Sequence, residues 1–164
     1  MEKLYLSSLR GYLGDWVYYP CLMKLNDIAE RVDFADHLHK SKTLSEMIQR
    51  ELKKKWGKEI KKYLLEQKQR FFNSLIVAVY EGEPSWYDIT NLEGNEQLDA
   101  SEIPDDVVAS IGILRLSGNE KLFTLDGQHR LMGIKEAVKE DSDLGEDELN
   151  GALFLGMIRP GLRR

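Results

Sequence analysis

The feature that most constrains this chain is a change of period at one glycine. Residues 122–125 (Leu122, Phe123, Thr124, Leu125) form a short extended apolar run. After Asp126-Gly127 the apolar residues Leu131, Ile134 and Val138 recur every three or four positions. The first pattern is that of a strand and the second that of one helix face. A helix is therefore predicted from about Gln128 to Glu140, running straight out of a strand. Such a strand needs a sheet and such a helix must cover one. The chain is expected to be an α/β (α+β) domain, a mixed sheet with flanking helices.

Other segments agree. Residues 3–9 alternate loosely and read as a first strand. Residues 16–25 read as a second, with Pro20 suggesting an edge or a kink. A short helix is expected over 27–32. Thr43-Leu44-Ser45-Glu46 has the form of a capping box, followed by Leu44, Met47, Ile48 and Leu52 at helical spacing. Gly57 is expected to end that helix, and a further one to run from about 58 to 69. Residues 74–80 form a β-branched run typical of a buried strand. Residues 86–89 are expected to return after a turn at 81–84, and residues 90–101 read as a surface loop. Pro104-Asp105-Asp106 resembles a helix start. The turn Ser117-Gly118-Asn119-Glu120 is expected to join strands 111–116 and 121–125 as a hairpin. An acidic loop over 141–150 and a last strand over 152–158 complete the chain.

With 164 residues, of which 42% are hydrophobic, the chain is long enough for one domain with its own core. No apolar run approaches the roughly 18 residues of a membrane span, so no membrane association is expected. The single cysteine, Cys21, excludes an internal disulfide and suits a cytoplasmic protein. The net charge of −5 argues weakly against nonspecific nucleic-acid binding, but it is unevenly placed. Residues 50–70 carry nine Lys or Arg against three acids, whereas residues 81–120 carry ten acids against Arg115 alone.

Chemistry concentrates at Asp126-Gly127-Gln128-His129-Arg130. A helix start leaves backbone N–H groups unpaired beside the positive end of the helix dipole, which suits a phosphate. Arg130 offers a planar fork of donors. Asp126 could hold a metal ion or orient a water. Capping alone would account for Asp126 but gives no reason for Gln128, His129 and Arg130. There is no Walker loop, HExxH or GxSxG pattern.

This five-residue run resembles the motif of DGQHR-domain proteins. Together with Arg10-Gly11-Tyr12-Leu13-Gly14-Asp15-Trp16-Val17-Tyr18-Tyr19 and Arg70-Phe71-Phe72-Asn73-Ser74-Leu75, it makes most of the chain resemble the DndB branch, associated with DNA phosphorothioate modification. A more distant similarity is to the ParB/sulfiredoxin-like superfamily, where a Gly-rich turn and an Arg-containing helix start bind nucleotide phosphates. Sulfiredoxins carry a catalytic cysteine in this turn. Gln128 stands there instead, so the resemblance implies phosphate binding without thiol chemistry. It also implies that residues 1–164 are one domain, the N-terminal part of a longer protein.

On that resemblance, the expected function is binding, with possible hydrolysis, of a nucleoside triphosphate such as ATP or CTP with Mg2+, on or near DNA in a modification or phage-defence system. Gly127, Gln128, His129 and Arg130 would hold the phosphates. Asp126 would hold the metal. Asp126, Gln128, His129 and Arg130 would carry any catalysis, DNA nicking included. The alternative is a non-enzymatic transcriptional regulator of the modification genes.

Other groups have plainer readings beside their functional ones. Lys53, Lys54, Lys55, Lys58, Lys61 and Lys62 are either a solvated helix face or a DNA-backbone contact. His37 and His39 could share a strand face, but no third metal ligand is evident. Cys21 reads as a small buried residue. Arg10 and Asp15 flank Gly11 and Gly14, either as ordinary turn residues or as groups carried to the active centre.

Overall fold

The computed structural model describes residues 1–35, 44–89 and 100–155; for residues 44–53 and 100 it gives the backbone course alone. The strands are β1 (Leu4–Leu9), β2 (Gly11–Leu13), β3 (Trp16–Lys24), β4 (Val32–Phe34), β5 (Leu75–Tyr80), β6 (Ser85–Asp88), β7 (Ile111–Leu116), β8 (Lys121–Asp126) and β9 (Glu148–Leu155). The helices are α1 (Leu25–Arg31), α2 (Leu44–Glu66), α3 (Asp105–Val108) and α4 (Gln128–Glu140). All nine strands belong to one sheet in the order β4-β8-β5-β9-β3-β1-β7-β6, with β2 paired to β3. The β4–β8 and β5–β9 ladders are parallel and the others antiparallel. The expected mixed α+β class is what the chain adopts.

The sheet curls back on itself, and chain connectivity requires it. Strands β5 and β6 lie five places apart in the order, as do β7 and β8. In a flat sheet that is about 24 Å, at about 4.8 Å per strand. The links 81–84 and 117–120 span at most about 18 Å from strand end to strand end. Both links are corners, lying side by side. Glu83 N donates to Glu120 Oε1 at 3.2 Å, and Lys121 pairs with Glu81 at 3.1 Å. Residues 117–120 are therefore not the reversal of a hairpin, because β7 and β8 do not pair. Gly118 takes φ +100. The Glu120 carboxylate accepts from Ser117 N, Ser117 Oγ and Gly118 N. Burial pushes the Glu120 carboxyl up, but these hydrogen bonds outweigh it and hold the group below the usual carboxylate range. Nor does β6 return along β5. It passes the corner and pairs with β7 at the opposite end of the order.

Strand β3 corrects another expectation. It is interior, between β9 and β1, and it contains Pro20. Proline is tolerated there because the β1–β3 ladder is thin, with Ser8 opposite Cys21 as its register pair. The Pro20 carbonyl faces β1 and accepts from Ser8 Oγ at 2.9 Å, so the missing N–H falls on this sparse side. The short strand β4 has no sequence signal beyond Val32 and Phe34. Helix α1 starts at Leu25, ahead of the expected 27, and the last strand starts at Glu148 rather than 152. The capping-box residue Thr43 and most of the loop over 90–101 lie outside the described residues.

Helix α4 occupies its expected range, and it buries Leu131, Gly133, Ile134 and Ala137. Full burial of Leu131 and Ile134 stabilises the fold by about 1.5–3 kcal/mol each. Helix α2 does not break at Gly57. It runs unbroken for 23 residues, because Gly57 lets it approach α4. A Cβ at Gly57 would overlap Met132 Cγ, and one at Gly133 would overlap Ile60 Cγ2 and lie 3.0 Å from Lys61 N. The two glycines are complementary notches on facing helices, and the Lys61–Glu140 pair at 2.6 Å closes the same seam.

Gly133→Ala tests the notch. Helix propensity alone would favour alanine by about 1 kcal/mol. The clash with Ile60 and the Lys61 backbone should reverse the sign, leaving a net loss of about 1–3 kcal/mol in chemical denaturation. A more stable Gly133→Ala protein would show that the helices have room to part.

Candidate functional site

Strand β8 ends at Asp126, and Gly127 turns the chain into α4 with φ +99 and ψ 26. That left-handed conformation suits glycine. Space demands it too, since a Cβ would sit 2.5 Å from Leu75 Cδ2 and 2.9 Å from Arg130 Nη2. The first bond of the helix is Leu131 N to Gly127 O at 2.9 Å. No side chain caps this end, and its first turn holds no acidic residue.

Arg130 does not extend freely from the helix. It folds back so that Nη2 donates to Ser74 O at 3.0 Å and lies 3.7 Å from Asp126 Oδ2. Its Nε is buried with no hydrogen-bond partner. The guanidinium is thus anchored beside the helix start, with about a quarter of its side chain exposed. Asp126 is exposed, Gln128 half-buried and His129 exposed. The His129 ring lies 6.4 Å from that of Trp56 on α2.

Two polar residues here carry no signal of their own in the sequence. Ser74 precedes β5 and receives Arg130 on its carbonyl. Asn150 on β9 donates Nδ2 to Ser74 Oγ at 3.0 Å. They meet because Leu75 is paired with Gly151, and Ile76 with Asp126, where β5 begins between β8 and β9. Ser74 stands out only as part of the run 70–75.

The remaining candidates scatter. Lys54, Lys55, Lys58 and Lys62 are exposed on α2. Lys61 is instead half-buried and tied to Glu140, whose hydrogen bond raises its pKa. The side chain of Lys53 lies outside the described residues, as do His37 and His39. Arg10 belongs to the other end of the sheet. It lies 5.3 Å from the Trp86 ring centroid and 3.9 Å from Asp88, with Nη2 donating to Ala109 O at 3.4 Å. Asp15 is exposed in the β2–β3 turn. Neither Arg10 nor Asp15 meets the 126–130 motif. Among the described residues no group of three or more His, Cys, Asp or Glu could hold a metal ion. No described helix is long and apolar enough to cross a membrane.

Cys21 is buried, and burial pushes its thiol up to about 12. A thiol held neutral is a poor nucleophile. Cys21 should therefore resist a thiol-reactive dye at pH 8 in the folded protein and react on unfolding in denaturant. Rapid labelling of the native protein would contradict this placement.

A family model described as DndB, DNA-sulfur modification-associated, matches residues 6–163. No curated protein and no solved structure matches the chain.

Proposed function

The chain belongs to the DndB family of DNA-sulfur modification-associated proteins, and on that premise we propose that the start of α4 binds the phosphates of a nucleoside triphosphate. The observation that carries this reading is that the helix start is built against its own stability. A stable first turn has a capping side chain and acidic residues. This one has neither, and it places His129 and the Arg130 cation there instead. Glycine in place of a capping side chain costs about a few tenths of a kcal/mol, and a cation at the positive end of the dipole costs about 0.3–1 kcal/mol. An anion is the ligand that offsets both.

In this reading the amides of Gln128, His129 and Arg130 receive phosphate oxygens. The guanidinium, held by Ser74, neutralises their charge. Asp126 would share Mg2+ with the phosphates, since magnesium is commonly bound through one or two carboxylates plus substrate oxygens. Gln128 and His129 would orient a phosphoryl group or a water if the nucleotide is hydrolysed. The likeness of the motif to DGQHR-domain proteins and, more distantly, to the ParB/sulfiredoxin-like superfamily supports phosphate binding. A purely regulatory role, with the nucleotide as a signal and no turnover, is favoured by the pairing of Asp126 with Arg130. That contact makes the carboxylate first a partner of the cation.

Titration calorimetry with ATP and CTP, with and without Mg2+, tests the site. Arg130→Lys keeps the charge but loses the fork that spans Ser74 and the ligand. It should weaken binding by about 1–3 kcal/mol. Parent-like binding by that variant would remove Arg130 from the site. Gly127→Ala is a poor probe, because its Cβ would strike Leu75 and Arg130. Release of inorganic phosphate separates turnover from sensing.

For DNA, the exposed Lys54, Lys55, Lys58 and Lys62 form the stretch of α2 that we assign to the phosphate backbone. Replacing all four with Ala should reduce the slope of log affinity against log salt by about 0.9 for each DNA phosphate that is no longer neutralised. An unchanged slope would make them a solvated face.

A further inference from the structure

A cavity of about 280 Å3 opens where the end of α2, α4 and the start of β9 converge. Its floor is apolar, with Leu64, Phe72 and Ile134, and its rim is polar, with Arg70, Asp147 and Asn150. We propose that this cavity receives the base of the nucleotide whose phosphates lie at the start of α4, and that it selects a base bearing an exocyclic amino group. The proposal rests on the phosphate reading given above.

Size is the first argument. Sites for whole drug-sized ligands run to about 300–1,000 Å3. This cavity is at the lower limit, enough for a ring system but too small for a nucleoside triphosphate. A ligand seated in it must carry the rest of its structure outside.

Position is the second. Ile134 of the floor is one helical turn beyond Arg130 on α4, about 6 Å along the axis. On the rim, Asn150 donates to Ser74 Oγ, and the Ser74 carbonyl accepts from Arg130. Ser74, at the end of the strap 70–74, thus links the rim residue Asn150 to Arg130 at the helix start. That strap is pinned at its other end too. Arg70 donates to Leu64 O at 2.8 Å and to Asp147 at 2.5 Å, and Phe71 N donates to the Tyr63 hydroxyl at 2.7 Å.

Chemistry is the third. A flat ring on an apolar floor is stacked or covered by aromatic side chains. Phe72 lies in the floor, its ring 6.0 Å from that of Tyr63. Phe71 stands at the mouth, 92% exposed, where its ring is available to cover a flat ligand. The Asp147 carboxylate is the more exposed member of the rim's ion pair. Arg70 already spends Nε on Leu64 and Nη1 on Asp147, whereas the Asp147 carboxylate remains about half exposed with Glu148 beside it. A carboxylate edge accepts from an amino group, as in cytosine or adenine, and repels the carbonyl oxygen that uracil presents at the same position.

Cytosine and uracil match in size and shape, so CTP against UTP isolates this contact. Inorganic tripolyphosphate reports the phosphate site alone. Calorimetric titration of the full chain with Mg2+ should show CTP binding at least about tenfold tighter than UTP. Asp147→Asn should abolish that difference and leave tripolyphosphate unchanged. Should Asp147→Asn melt early through loss of the Arg70 pair, Phe71→Ala serves, since so exposed a ring contributes little to folding. It should weaken CTP several-fold and leave tripolyphosphate as it was. Equal binding of CTP and UTP alongside firm tripolyphosphate binding overturns the base site and spares the phosphate site. Discrimination that survives Asp147→Asn, or CTP affinity untouched in Phe71→Ala, also overturns it. If neither the nucleotides nor tripolyphosphate bind, both readings fall together.

Discussion

The close approach of α2 to α4 through Gly57 and Gly133 is the contact on which the rest of the arrangement depends. Each glycine makes room for the side chain opposite, Met132 for one and Ile60 for the other. The helices can therefore settle together, while α4 presses Leu131, Ile134 and Ala137 onto the sheet. Held between α2 and the sheet, α4 has little freedom to slide. Its first turn is then fixed relative to β5, and Gly127 can be packed against Leu75 without slack. The same contact places the end of α2, because Arg70 reaches back to Leu64 and across to Asp147. Strap, cavity and helix start are thus positioned by one packing decision made at two residues without side chains.

The curled sheet solves a different problem. A nine-stranded flat sheet would leave long open edges and could not cover its core with so few helices. The two adjacent corners, at 81–84 and 117–120, turn the β5–β8 ribbon into the β6–β7 ribbon within four residues each. Their cost is an uncommon backbone, with Glu81 and Gly82 at φ 59 and 72 and Gly118 at φ 100. The Glu120 carboxylate offsets it by satisfying four donors of the two corners. The outcome places the motif strand β8 near one end of the order, beside only β4 and β5, so that its C-terminal end opens to solvent at Asp126.

What can be read from the sequence follows from how local each signal is. The β8–α4 junction is legible because the periodicity changes within a few residues and Gly127 marks the place. The strand 75–80 is legible from β-branched content alone. Gly57 misleads because a glycine in a helical pattern is locally a weakness, and its reason lies on another helix 75 positions away in Met132. The link 117–120 has the composition of a hairpin turn. Only the pairing of β7 with β1 and of β8 with β4 shows that it is a corner. Pro20 signals an edge correctly in one respect, since the side it faces is nearly unpaired. At the candidate site the residues contiguous in sequence are evident and those brought in by the sheet are not. Ser74 and Asn150 are ordinary polar residues until Leu75 and Gly151 pair.

Arg130 shows why a strut and a ligand contact need not be competing roles. A guanidinium tied only to a carbonyl and to an exposed carboxylate 3.7 Å away is poorly compensated for its burial. Its unpartnered Nε adds to that cost. If the purpose were structural alone, a neutral side chain reaching Ser74 O would serve with less penalty, and an acidic first turn would stabilise α4 further. The chain instead concentrates positive charge from the side chain and from the helix dipole at one point, and it holds that charge rigidly through Ser74. Preorganised charge of this kind costs folding stability and reduces the reorganisation needed when an anion arrives. The anchoring of Arg130 is therefore better understood as part of the proposed phosphate site than as a reason to doubt it.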